Sequence, residues 1–342
     1  IRARSTINGG GTGSVVTVSS DLVTLLSNLI LTNGNSYMEG GGILMSYGSG
    51  GGTMSLINVD IHGNTSQWGG GLWVGLDASV IMEKVNIYNN TASAFGGGVR
   101  LYGGNITLID SNIYNNAAPK GAGVYATLES GSALSLHMTS NSSIYQNNAV
   151  TGDGQGGGIY MSQGEISMTD SSQIYSNNSS SSGGGVYLDN GSLLVRNGSI
   201  HDNATSVSLS GNYGGGIFAT GNSSVDLRQT LIQGNRARNG GGIYANQSNI
   251  VLYNVFVTGN NAFISNTGDG VRLINGASLT GSHNTFAHND NELATTGRAI
   301  DVDDSSIITL SNSIIWGHSI SINDSGHNVT CSDIERGYTG TG

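Results

Sequence analysis

The feature that most constrains this chain is a short motif that returns ten times. A triplet of small residues, usually Gly-Gly-Gly, is followed at once by an apolar residue. The triplets begin at Gly40, Gly69, Gly96, Gly121, Gly156, Gly183, Gly214, Gly240, Gly268 and Gly297, at intervals of 25 to 35 residues. Self-similarity at a period of ~20–50 residues marks stacked units, each too small to bury its own apolar face. One elongated body over residues 1–342 is therefore expected, where length alone would suggest two domains. Residues 1–39 read as an entry coil, 40–317 as the regular repeats and 318–342 as a closing coil.

The phase within each repeat gives the strands. The first position after the triplet runs Ile43, Leu72, Val99, Val124 and on to Ile300, and two residues later come Met45, Val74, Leu101, Ala126 and on to Val302. All twenty are apolar, and a spacing of two is that of a strand with one buried face. A second alternation follows, as in Val80/Met82, Ile106/Leu108, Leu134/Leu136 and Ile166/Met168. A third segment ends on an apolar residue, two others and Asn, from Ile61–Asn64 to Phe286–Asn289. Stacking pairs like strands in parallel, so the expected fold is all-β: a right-handed parallel β-helix of about eleven coils, three short strands each, roughly 50 Å long. Bulged loops are expected in the longer intervals, at Ser130–Asn148 and Ser206–Gly211.

Composition narrows function. The net charge is −10, and only two lysines, Lys84 and Lys120, accompany scattered arginines. A phosphate backbone needs a basic stripe, so nucleic acid is not an expected partner. The single Cys331 allows no intrachain disulfide and no cysteine zinc site. No apolar run reaches the ~18 residues that span a bilayer. The opening Ile1-Arg2-Ala3-Arg4 reads as the start of a processed product or a fragment.

The tandem of GGG(I/V) and I-x-x-N resembles the repeats of polymorphic outer membrane proteins. It resembles still more the secreted bacterial proteins with pectin-lyase-like β-helices. INGGGTGSVVTV at Ile7–Val18 looks like their entry coil, and SNSIIWG at Ser311–Gly317 and CSDIERGYTGTG at Cys331–Gly342 look like their closing coils. The resemblance implies secretion and the β-helix fold. Its members include adhesins, autotransporter passengers, surface proteins and polysaccharide-degrading enzymes.

The candidate residues follow from the phase. Between the two inward positions of the first strand lie Trp73, Tyr125, Tyr160, Tyr187, Phe218 and Tyr244. Alternation turns this column outward, with rung neighbours close enough to stack. A second outward column follows the third-strand isoleucines: Tyr88, Tyr114, Tyr145 and Tyr175. Aromatic rings suit a sugar platform or a contact with another copy of the rod. The asparagines at the end of the third strand suit a stacked amide ladder in the left-handed conformation. Sequons fall at Asn64, Asn89, Asn203 and Asn328. Asp301 and Asp303 share an outward face and are the candidate Ca²⁺ ligands; no other cofactor is expected. Glycoside hydrolysis needs two carboxyl groups ~5–10 Å apart, and no Gly-His-Gly or Arg-x-Lys signature accompanies this pair. Gly317-His318-Ser319 is a partial echo, and His318 falls where the asparagine series would continue. The expectation is an extracellular, non-enzymatic structural or adhesive protein whose partner is itself or a surface polysaccharide. The rivals are a polysaccharide lyase or hydrolase and an autotransporter-type passenger.

Overall fold

The computed structural model describes residues 4–19, 22–45, 51–128, 132–206, 211–263, 268–289, 297–317, 319–322, 327–330 and 332–334. They form an all-β parallel solenoid. The strands after the glycine triplets make one 12-stranded sheet, and the second and third strands of successive coils lie together in a 23-stranded sheet. The coil from Gly156 serves as the pattern. Its strands are Ile159–Ser162, Glu165–Met168, Gln173–Tyr175 and a short fourth one, Asn178–Ser179. Four strands per coil replace the expected three. The fourth holds only one to three residue pairs per rung, too few to give a legible alternation.

All twenty inward residues of the first strands are 0 % exposed, and the third-strand residues from Ile61 to Phe286 are buried with them in one continuous core. At one repeat the pairing register differs by two residues from the expected one, although Leu134 and Leu136 are both buried as expected. Ile106 and Leu108 pair with Leu136 and Met138, so Leu134 lies ahead of the second strand. Residues 129–131 and 207–210 of the segments around the two expected bulged loops lie outside the described residues.

Backbone geometry explains the glycines. The first glycine of a triplet turns the corner with positive φ, +64° at Gly156 and +66° at Gly183. The third lies against the next rung: a Cβ on Gly185 would stand 2.6 Å from the Gly216 carbonyl oxygen and 3.0 Å from the Asn203 amide. Only glycine meets both demands without displacing backbone.

The asparagine series forms a buried ladder, but its left-handed residue is not the asparagine. Positive φ falls on the residue before it, at Gly63, Asn89, Asn115, Gln146, Ser176, Asp202, Gly234 and Gly259. That kink turns the following side chain inward, where each amide bonds to the next rung. Asn147 Nδ2 donates to Asn177 Oδ1 and Asn177 Nδ2 to Asn203 Oδ1, both at 3.0 Å. His318 and Cys331 lie outside the described residues, as do residues 335–342 of the expected closing coil.

Candidate functional site

The first-strand column is where alternation places it, but it is not an open face. In register it reads Trp73, Arg100, Tyr125, Tyr160, Tyr187, Phe218, Tyr244, Arg272, Asp301. Trp73 is only 2 % exposed, Phe218 and Tyr244 are buried, and the three tyrosines between are half-buried. The expectation of an exposed platform is corrected at Trp73, Phe218 and Tyr244. The fourth-strand end of each coil returns beside this column, a long-range cover that strand alternation does not report.

The rings are stacked on one another. Tyr125–Tyr160 and Tyr160–Tyr187 have centroids 4.7 and 4.8 Å apart, and Tyr187–Phe218 follows at 4.9 Å with its planes tilted by 35°. These spacings are the rung repeat itself and fall where offset stacking is favourable. Phe95, the last residue of the fourth strand Thr91–Phe95, takes the aromatic slot before Tyr125 at 4.6 Å. It does so because Arg100 occupies the column there, with its guanidinium 4.6 Å from the Tyr125 centroid. At the other end Tyr213 leans in similarly and stacks on Tyr244 at 4.5 Å.

The second column is longer than the sequence suggested. Tyr88, Tyr114, Tyr145 and Tyr175 stack at 4.8 to 5.0 Å, with ring planes within 6° of parallel. His62 and His201 extend the stack at its two ends. Burial pushes Tyr145 and Tyr187 up to about 12, assisted by neighbouring phenols for Tyr145 and by Asp189 for Tyr187. Tyr160 is raised as well, by burial first and by Tyr125 and Tyr187 next. The interior rings of these columns spend both faces on their neighbours, which leaves edges and hydroxyls for anything outside.

The carboxylate pair does not form a calcium site. Asp301 is 0 % exposed and ion-paired with both Arg272 and Arg298, the latter at 2.7 Å. Two guanidinium groups neutralise it before any cation could. Burial lowers the pKa of both arginines; at Arg272 the Tyr244 phenol and the Asp303 carboxylate oppose the shift, while at Arg298 the neighbouring Arg272 adds to it. Asp303 accepts from the Asn275 backbone N–H at 2.8 Å and from Ser305; burial raises its carboxyl pKa, but the bonds from Asn275, Ser306 and Ser305 together outweigh this and leave it below the usual range. Among the described residues no group of three or more His, Cys, Asp or Glu comes together.

The register of the solenoid can be set against known families. A family described as the right handed beta helix region matches residues 97–258 and 165–334, which overlap and together span most of the chain. The chain belongs to the right-handed β-helix family. Searches among curated proteins and among solved structures returned no match. No described helix of this β-helix is long and apolar enough to cross a membrane.

Within the β-helix, the sequons divide. Asn64 and Asn203 are fully buried ladder members, their amide nitrogens donating to Leu31 and Ile174 carbonyls. A glycan there has no space on the folded chain, which corrects the reading at those two positions. Asn89 and Asn328 are exposed. A hydroxyl ladder at the corner between second and third strands was missed by sequence reasoning. Val85 N–H donates to Ser111 Oγ at 3.0 Å and Ser111 N–H to Ser142 Oγ at 3.2 Å. Serine is so frequent in the chain that this column carries no signal of its own. Arg100 was missed because it interrupts an otherwise aromatic series, and Trp68 and Phe95 because they precede the triplets.

Proposed function

We propose that this β-helix is an extracellular, non-enzymatic protein, structural or adhesive, that works through its outer faces by self-association or glycan binding. The observation that carries the reading is the state of the charged cluster at Arg272, Arg298 and Asp301. Acid–base or nucleophilic work on a polysaccharide needs carboxyl groups that reach the sugar. Asp301 is sequestered between two arginines instead, and from Tyr125 to Tyr244 that face repeats coil after coil as a ring stack that stiffens the sheet. A protein built to be long, rigid and laterally uniform suits a scaffold or a spacer, whose contribution is a surface held in a fixed register.

The test uses the native protein at its highest soluble concentration. Sedimentation and electron microscopy are expected to show concentration-dependent assembly, or else pull-down is expected to show saturable retention on insoluble polysaccharide. Monomers that neither assemble nor bind any polysaccharide surface would overturn the reading.

A further inference from the structure

The ring stack has an end, and something is built there. Phe95 stacks on Tyr125 with one face; among the described ring pairs its other face meets no ring. Against that end lies a cleft of about 200 Å³ lined by Glu39, Trp68, Trp73, Phe95, Arg100 and Tyr102. One wall is the fourth-strand end of three successive coils, where Glu39 bridges to Trp68 and Trp68 pairs with Phe95. The other comes from two first strands: Trp73 opposite Arg100, with the Tyr102 ring 6.3 Å from Trp73. We propose that this cleft, at the end of the first column, binds one neutral sugar ring, an inference that rests on the glycan-binding part of the reading above.

Size, shape and charge each support the assignment. The cleft's volume of about 200 Å³ is far above the ~10–15 Å³ that admits a single water, so it has room for a small ligand. A pyranose is apolar on its C–H faces and polar at its rim, which matches aromatic walls with a carboxylate and a guanidinium between them. Trp68 and Phe95 are half-buried, so their rings are fixed yet reachable. Arg100 is positioned in advance, donating to the Leu101 carbonyl at 3.0 Å and to Thr127 Oγ1 at 2.7 Å. Glu39 can accept from sugar hydroxyls, because a carboxylate offers more acceptor sites than one partner fills. Aromatic walls beside a carboxylate would also suit a quaternary ammonium. Here a cation is already present, with Arg100 at 5.1 Å from the Tyr102 centroid, and a second would be repelled. An acidic sugar would bring a carboxylate beside Glu39. The formal charges of Glu39 and Arg100 cancel, which favours a neutral ring.

Two of the three tryptophans line the cleft, so fluorescence reads it directly. A full-length Trp316→Phe protein removes the remaining one. It is titrated with methyl glycosides of glucose, galactose and mannose and with their neutral trisaccharides; trigalacturonate and tetramethylammonium serve as charged probes. At least one neutral sugar is expected to give a saturable change, with Kd of about 0.1–10 mM. Trp68→Ala should weaken it about tenfold, and the isosteric Glu39→Gln should weaken it several-fold with an unchanged circular dichroism spectrum. The inference fails if no neutral sugar gives a saturable response, if a charged probe binds more tightly, or if Glu39→Gln binds as the parent does. A silent cleft in a protein that still assembles or is retained on polysaccharide overturns this site alone and leaves the proposed function standing.

Discussion

Asn177 shows what one side chain contributes in a ladder. Its Nδ2 donates to the Ile144 carbonyl at 2.9 Å and to Asn203 Oδ1 at 3.0 Å, while its Oδ1 accepts from the N–H and the Nδ2 of Asn147. All of this happens where no water reaches, so truncation strands partners on both neighbouring rungs. Asn177→Ala should lower stability by about 3 kcal/mol or more, read from urea denaturation, whereas the exposed neighbour Asn178→Ala should stay within about 0.5 kcal/mol. Equal effects at the two positions would contradict the ladder's role. The I-x-x-N spacing made the ladder legible in the sequence. The left-handed residue before it was not legible, because Gly63, Asn89, Gln146 and Ser176 all adopt it. Packing on both sides imposes that conformation, so residue type ceases to report it.

Strands turn single rings into columns. A parallel ladder in register repeats every side chain at the rung spacing, so identical residues must stack or clash, and flat rings stack. The phenol groups inherit the consequence. Unfolded tyrosine ionises near pH 10, but Tyr145, Tyr187 and Tyr244 in the folded chain do so only at about 12, chiefly because burial disfavours the phenolate. The stability these groups contribute is therefore present in full below about pH 10. It is lost as pH rises toward 12, when the unfolded chain releases protons that the folded one retains. An alkaline titration of phenolate absorbance should show a late-ionising set of tyrosines, with denaturant resistance falling over the same interval. A single transition near pH 10 with unchanged stability would contradict the stacking. Alternation revealed which rings leave the core, but not that Trp73 is covered while Tyr145 is not. What separates them is the fourth-strand end returning over one sheet and not the other, a contact made across tens of residues.

At the scale of the molecule the glycine triplets turn out to be structural twice over: once for the left-handed corner and once for the close approach of rungs. They set the register that makes every other column possible, and for that reason the fold was readable from one motif. The candidate site was only partly readable. The cleft at Glu39 and Trp68 is formed where the regular pattern is interrupted by Arg100, and repeats reveal themselves by what they share. The same irregularity argument applies to Asp301, whose two arginines come from positions a coil apart in sequence and are brought together only by stacking. In the function proposed above, this β-helix recognises and supports but does not cleave. Prolonged incubation of the native protein with polyuronates in the presence of Ca²⁺, and with neutral polysaccharides, tests this when unsaturated sugar ends and new reducing ends are measured. Neither is expected above the protein-free control; the appearance of either, abolished by Asp301→Asn, would contradict the proposal.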